Sequence, residues 1–308
     1  YIAKIFGTLR GHLRRMRDIF RISQYDIVYV FMWVTPLGTS FFERLVRTLS
    51  KRLIYDIEDI VLKRKSNEIN PLIKILKSTG KAKYLIKTAD HVITSSPFLN
   101  DYCLGINKRK ACTYISSSVD TDRFLPMNPY SNDRKVTIGW TGTFSSKEYL
   151  DLLRNVFLDL NKRCDFRLRI IGNFQYELRG VDLEVIQWTK EKDIEDLQVI
   201  DIGVYPLAQD GWVLGKSGLK AIQYMALGLP TVATNVGTTP RIIQQHENGW
   251  VVKTDEEWVE ALEALVKDAD LRRKIGEAAR ATVLEKYSTH AIKSTYLSIL
   301  NKQICGKL

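Results

Sequence analysis

Histidine and cysteine are scarce in this 308-residue chain, and neither is arranged for chemistry. The four histidines, His12, His91, His246 and His290, are scattered, with no nucleophile beside them and no ligand spacing. Cys103, Cys112, Cys164 and Cys305 show no paired or metal-type spacing. That excludes a disulfide framework and a zinc module, and makes a reducing cytoplasm the default compartment. No uninterrupted apolar run approaches the roughly 18 residues of a spanning helix. The chain opens at Tyr1 without a methionine or a recognisable signal peptide, so an absent N-terminal segment is expected. RNA- and DNA-binding modules are also lacking, which argues against a nucleic-acid partner.

What the chain does have is length for two domains and a sharply uneven charge. The net charge is +11. Residues 1–125 carry 22 Lys+Arg against 11 Asp+Glu, whereas residues 126–308 carry 24 of each. All of the excess sits in the first part. Such a part suits anionic lipid headgroups, a phosphorylated acceptor or, on charge alone, nucleic acid, with plain solubility as the bland alternative.

Taken in order, residues 2–22 place Ile2, Ile5, Phe6, Leu9, Leu13, Met16 and Phe20 on one helical face, with arginines mostly elsewhere. This is a helix packed on a sheet or an interfacial basic helix. The strand predicted directly after it, at 26–31, favours packing. A loop with Pro36 and Gly38, a helix, and a strand at 53–56 follow. Asp56, Glu58 and Asp59 lie just past that strand, where open α/β sheets place their sites. Three carboxylates there could bind a metal, act as a base, hold hydroxyls, or cap the next turn. A helix over about 72–89 and a strand–turn–helix over 89–102 lead to a linker at 126–133.

Beyond the linker, strands are predicted at 136–140, 166–171, 183–186, 202–205, 231–233 and 250–252, alternating with helices that end the chain. The alternation predicts a doubly wound α/β sheet. Its centre is the stretch from Asp201 to Gly237. Ile202 to Tyr205 reads as a buried parallel strand closed by Pro206. A helix then starts at Ser217-Gly218, with Leu219, Ile222, Met225 and Ala226 at three- and four-residue spacing. Gly228 and Pro230 end it. Lys216 and Lys220 stand at its N-terminus, where free N–H groups and the helix dipole suit a phosphate. An ordinary βαβ unit with two solvated lysines is the plain alternative.

The run GK-x-G-x-K-x-x-QYMA-x-G-x-P-x-VA, preceded by DIG-x-x-PL and W-x-x-GK, resembles the nucleotide-sugar segment of family 4 glycosyltransferases. IYDIEDI and TYISSSVDTDRF resemble that family's first-domain segments. The resemblance implies the GT-B fold: α/β, two Rossmann-like doubly wound domains facing a cleft. The acceptor-side domain would span 1–125 and be incomplete, lacking about 50 residues. The nucleotide-sugar domain would span 126–288, and a helix over 289–308 would return to the first domain. Gly142 and Lys147 match the family's phosphate loop, where Thr143 replaces the usual arginine. Gly215 and Gln223 replace the usual pair of glutamates.

On this resemblance, Lys147, Lys216 and Lys220 would stabilise the leaving diphosphate. Gly142, Thr143, Gly172, Trp188, Gly215, Ser217, Gly218, Leu219 and Gln223 would meet the donor, although for Trp188 core packing is favoured over stacking on a base. Asp56, Glu58 and Asp59 are the acceptor-side candidates. The implied reaction is retaining transfer from a nucleotide-diphosphate sugar to a hydroxyl of a lipid-linked or glycan acceptor, in cell-surface polysaccharide or glycolipid synthesis. No metal or other cofactor is expected. The expected location is cytoplasmic, with the basic part on an anionic membrane face. The competing reading is a nucleotide- or polyanion-binding protein without turnover.

Overall fold

The computed structural model describes residues 2–35, 39–58, 80–127 and 134–305, with no side chain described for 2–6, 8, 9 and 12. Asp59, Pro36, Gly38 and most of the expected linker therefore lie outside the described residues. The chain divides into two units. One gathers Tyr1–Ser116, Gly215–Ser217 and Ser294–Leu308; the other gathers Ser117–Leu214 and Gly218–Lys293.

The first unit is built on four parallel strands, β1 (Val28–Phe31), β2 (Leu53–Ile57), β3 (His91–Thr94) and β4 (Cys112–Tyr114), lying side by side in chain order. Leu53, Ile54, Tyr55 and Ile57 are all fully buried, as a strand covered on both faces requires. Helices Phe41–Leu49, Gly80–Thr88 and Pro97–Ile106 connect the strands. The last starts on Ser96, whose Oγ accepts the Leu99 N–H at 3.2 Å, with Pro97 in the first turn. Among the described residues the strand order never reverses, so only one arm of a doubly wound sheet is present. Asp56 falls inside β2, and of the expected acidic residues only Glu58 is described just past the strand.

The opening helix runs over Ile2–Ile19. Of its described apolar residues only Ile19 is buried; Leu13 and Met16 are exposed, as is Phe20 directly after it. The expectation that this face packs on the sheet therefore fails for these three side chains. Among the described residues no helix is long and apolar enough to cross a membrane.

The second unit carries β5 (Thr137–Gly142), β6 (Arg167–Gly172), β7 (Asp182–Gln187), β8 (Ile202–Tyr205), β9 (Thr231–Thr234) and β10 (Trp250–Val252). They are parallel and ordered β10-β9-β8-β5-β6-β7, so the winding reverses between β5 and β8. β5 pairs with β6 along its whole length. With β8 it pairs only at Ile138↔Ile202 and Gly139↔Gly203. The two strands separate beyond that point, which opens a crevice at their carboxyl ends.

The N-terminal ends are clamped. Asp201, immediately before β8, accepts the Thr137 N–H at 2.7 Å and takes two bonds from Arg134 at 2.6 and 2.9 Å. Its own N–H donates to the Thr137 carbonyl. The outer edge of β10 is closed as well. Gln245 Oε1 accepts the Val251 N–H at 2.7 Å, Glu257 Oε2 accepts the Lys253 N–H at 2.5 Å, and the Gly249 carbonyl accepts the His246 N–H at 2.9 Å.

The units divide after Ser116, whereas the sequence puts the boundary after residue 125. Two interactions explain the shift. Val119 exchanges backbone hydrogen bonds with Tyr287 and Thr289. The Arg280 guanidinium donates to the carbonyls of Thr121, Phe124 and Ala226, tying residues 121–124 to the end of helix Leu219–Ala226.

The clamp at Asp201 can be tested directly. Asp201→Ala orphans the Thr137 N–H and removes two bonds from Arg134, and should cost about 2–3 kcal/mol in urea unfolding. Asp201→Asn keeps an acceptor for Thr137 and should cost less. Equal stability of all three proteins would show that the clamp contributes nothing.

Candidate functional site

The crevice of the second unit is lined first by the loop that leaves β5. Gly142 ends the strand beneath Trp140: a Cβ there would lie 2.3 Å from the Trp140 ring and 2.6 Å from Ser146 Oγ. Thr143 then caps the short turn Phe144–Ser146, its N–H donating to Ser146 Oγ at 3.1 Å. The Phe144 N–H donates to Asn173 Oδ1 at 2.9 Å, from the loop after β6. The turn is thus held by its own hydroxyls and one neighbouring amide. Lys147 begins the next helix, Lys147–Asp151. Its ammonium lies 3.4 Å from Asp151 Oδ2 and 5.6 Å from the centre of the Tyr176 ring.

The facing element is the helix Leu219–Ala226. It starts two residues later than the sequence suggests, because Gly218 takes a left-handed φ of 78° as its N-cap. A side chain at 218 would also meet Ile242 Cδ1 at 2.4 Å. No side chain caps this end, so the first turn keeps its amide donors for another partner. Lys220 projects from that turn. Its ammonium sits 4.7 Å over the Trp140 ring and 3.4 Å from Ser146 Oγ. The ring face stabilises the cation. Gln223 is half-buried, three residues on and so on the same face of the helix. Leu219 packs against the core below.

Two further predicted donor residues belong to the same end of this sheet. Gly172 closes β6, and a Cβ on it would meet the Gly142 carbonyl at 2.7 Å. Trp188 follows β7 and donates its N–H to the Gly172 carbonyl at 2.9 Å. Its side chain is 47% exposed, which corrects the core-packing expectation. Phe144, 70% exposed, lies in the same loop set and was not singled out by the sequence. An aromatic residue inside a Gly-Thr-x-Ser-Ser turn was the available signal, because such a turn has no core to bury it.

The structure therefore collects Gly142, Thr143, Lys147, Gly172, Trp188, Gly218, Leu219, Lys220 and Gln223 in the second unit. Gly215, Lys216 and Ser217 group with the first unit instead. Lys216 is half-buried and Ser217 buried. Of the two second-unit lysines, Lys220 lies at the loop turn, whereas Lys147 is drawn to Asp151.

In the first unit, Asp56 is occupied. The Tyr29 hydroxyl donates to its Oδ2, and Tyr296 lies close enough to interact. Burial pushes the Asp56 carboxyl above the usual range, against the effect of the two hydroxyls. Glu58 follows β2 and donates its N–H to Met32 Sδ at 3.2 Å. A second acidic group went unnoticed in the sequence: Glu43 is fully buried, 4.0 Å from the buried Lys81 ammonium. Lys81 donates to the Thr35 carbonyl and hydroxyl at 3.1 and 3.2 Å. Nothing in the sequence separates this pair from the solvated charges around it.

Among the described residues no group of three His, Cys, Asp or Glu side chains could hold a metal ion. The chemistry available is cationic and amide-based: one ammonium and an uncapped helix start, suited to an anion. A cavity of about 690 Å³ runs along β10, past Gln245, His246, Trp250 and Glu257. It contains none of these groups and is not this site.

Residues 135–268 match the family model described as "Glycosyl transferases group 1". One relative is the N-acetyl-alpha-D-glucosaminyl L-malate synthase of Bacillus anthracis, 36% identical over 84 residues, covering 27% of this chain and 22% of that protein. Another is the putative teichuronic acid biosynthesis glycosyltransferase TuaH of Bacillus subtilis, 25% identical over 215 residues, covering 62% and 52%. The chain spans between about a fifth and about a half of the length of the curated relatives it matches. The fold is that of solved glycosyltransferases. Anabaena Alr3699/HepE, in complex with UDP and glucose, aligns with a TM-score of 0.69 at 14% identity, over 94% of this chain and 81% of that one. A glycosyltransferase from Rickettsia africae aligns with a TM-score of 0.69 at 17% identity, over 98% and 83%. Residues 135–268 are thus similar to the group 1 glycosyltransferase domain, and the chain shares the GT-B fold of solved glycosyltransferases.

Proposed function

We propose that the protein transfers a glycosyl group, with retention, from a nucleotide-diphosphate sugar to a hydroxyl of a lipid-linked or glycan acceptor, in the synthesis of a cell-surface polysaccharide or glycolipid. The observation that carries this reading is the Lys220 ammonium, held over Trp140 and beside Ser146 at an uncapped helix start in the sheet-reversal crevice. Two kinds of likeness support it. The Anabaena neighbour is described with UDP and glucose, and the Staphylococcus aureus TarM mutant with UDP. Curated relatives include TuaH and the capsular polysaccharide glycosyltransferase CapM of Staphylococcus aureus.

As the anomeric carbon parts from the diphosphate, negative charge gathers on the departing oxygen. Lys220, the amides of the first helical turn, Lys216 and Lys147 would neutralise it, so no metal is required. Lys147 would leave Asp151 to do so, a small cost because both side chains are partly exposed. Gly142, Thr143 and Gly172 would let the phosphates and nucleoside approach backbone, with Trp188 beside the base and Gln223 at the ribose. Gly215, Ser217, Gly218 and Leu219 would line the approach to the sugar. Asp56 and Glu58 stand at the carboxyl end of β2 as acceptor-side groups; with the Tyr29 hydroxyl on Asp56, a positioning role suits it better than a base. A protein that binds nucleotides or polyanions without turnover is the alternative, favoured by Gly215 and Gln223 standing where acidic residues are usual.

Lys216→Ala and Lys220→Ala should each lower turnover by about 10²–10³ while changing stability by only about 0.5 kcal/mol. Initial rates, nucleotide-diphosphate affinity and melting temperature decide it, with and without a chelator. Wild-type affinity and rate in both variants would end the diphosphate assignment. Binding without turnover supports the alternative, and loss of activity on chelation that a divalent ion restores would overturn the metal-free mechanism.

The basic first part is proposed to dock on anionic membrane. Arg10, Arg14, Arg15, Arg17 and Arg21 are all exposed, around the equally exposed Leu13, Met16 and Phe20. Each basic residue near such a surface contributes about 1 kcal/mol. The protein should sediment with anionic vesicles at low salt and be released at high salt. Equal, salt-insensitive binding to anionic and neutral vesicles would refute the proposal.

A further inference from the structure

Tyr224 is fully buried in the middle of helix Leu219–Ala226, and its hydroxyl reaches across to β5. The β5–β8 ladder stops at Gly139↔Gly203. Beyond it, the Thr141 N–H faces the gap with no strand opposite to accept it. The Tyr224 oxygen accepts this N–H at 2.9 Å. The ring reaches that point only because Gly203 lies beneath it; a Cβ on 203 would come within 2.5 Å of the ring. Burial pushes the phenol well above its ordinary value, so it stays protonated and neutral.

The bond joins two segments with separate tasks. Thr141 leads directly into Gly142, Thr143 and the turn Phe144–Ser146. Tyr224 follows Gln223 and lies one helical turn after Lys220. Lys220 of the same helix also contacts this region, at Trp140 of β5 and Ser146 of the turn. A core tyrosine that merely filled space would need no partner at the end of a ladder, and phenylalanine would serve as well.

We propose that Tyr224 is a positioning residue: its hydroxyl sets the distance between the β5 loop and the helix start, and so fixes the diphosphate subsite. This rests on the donor reading given above. Tyr224→Phe keeps the ring on Gly203 and removes only the oxygen. Without it, Thr141 loses its acceptor, and the loop and helix shift independently. Groups that must converge on one diphosphate then converge less well. The nucleoside, held at the β6 and β7 ends, is untouched.

The experiment is calorimetric titration of wild type, Tyr224→Phe and Asp201→Asn with UDP, ADP and GDP and with uridine, adenosine and guanosine. Hydrogen exchange is followed at Thr141 and over 142–147. Asp201→Asn is the control for stability lost elsewhere in the same sheet. Tyr224→Phe should bind the preferred diphosphate about tenfold more weakly, keep its nucleoside affinity, and exchange faster at Thr141. In turnover, KM for the donor should rise and kcat fall together. Asp201→Asn should leave affinities and exchange in the loop unchanged. Equal weakening of diphosphate and nucleoside, or wild-type diphosphate affinity in Tyr224→Phe, would overturn the proposal while leaving the donor reading intact. A wild type that binds none of the diphosphates would instead overturn the donor reading, and this inference with it.

Discussion

A parallel sheet whose winding reverses must leave two neighbouring strands without helices crossing over their gap, and in the second unit this happens at β5 and β8. Their ladder is two pairs long, whereas β5 and β6 share six. Backbone N–H groups freed by the parting would be costly if left unpaired in a buried place. The chain meets this cost with side chains rather than strands, and the side chains it uses stand next to the candidate binding groups. Lys220 contacts Trp140 and Ser146 across the opening, and Tyr224 accepts the Thr141 N–H beside them. The grouping of candidate residues at this point follows from how the sheet is closed at its shortest ladder.

The opposite ends of both sheets are closed by a single device used twice. Asp90, immediately before β3, accepts the Leu53 N–H at the start of β2 and is flanked by Arg109 and Arg47. Asp201, immediately before β8, does the same for Thr137 at the start of β5, with Arg134 as its partner. In each case the aspartate's own N–H returns to the carbonyl of the residue it caps. Rigidity at the amino ends leaves the carboxyl ends free to carry loops, which is where the candidate residues of both units stand.

Much of this was legible in the residues alone. All six strands of the second unit were predicted to within two residues, because strands covered on both faces read as short apolar runs between glycines and prolines. The helix carrying Lys220 showed its period and its stop at Gly228. Its start was misjudged by two residues, since a left-handed glycine as N-cap leaves no polar side chain to announce it. The unit boundary was misplaced because the tie through Arg280 joins residues far apart in the chain. The direction of each lysine was equally hidden. Lys147 and Lys220 look alike in sequence, and only an aspartate one turn away in the first case and an indole in the second sends them to different partners. Asp56 looked available for chemistry, but Tyr29 and Tyr296 come to it from other elements.

The glycines around the crevice mean that its residues cannot vary one at a time. Gly139 accommodates Ile200, Gly142 accommodates Trp140, Gly172 accommodates Phe174 and Gly203 accommodates Tyr224, each with its would-be Cβ under 3.0 Å from the partner side chain. Each pair shares a fixed volume, so a gain on one side demands a loss on the other. For Gly203 even that exchange is closed, because shrinking Tyr224 would remove the hydroxyl that Thr141 needs. Substitutions that reshape this opening must therefore come in matched couples, or from the exposed side chains at its rim, Phe144 and Trp188, which owe their space to no glycine.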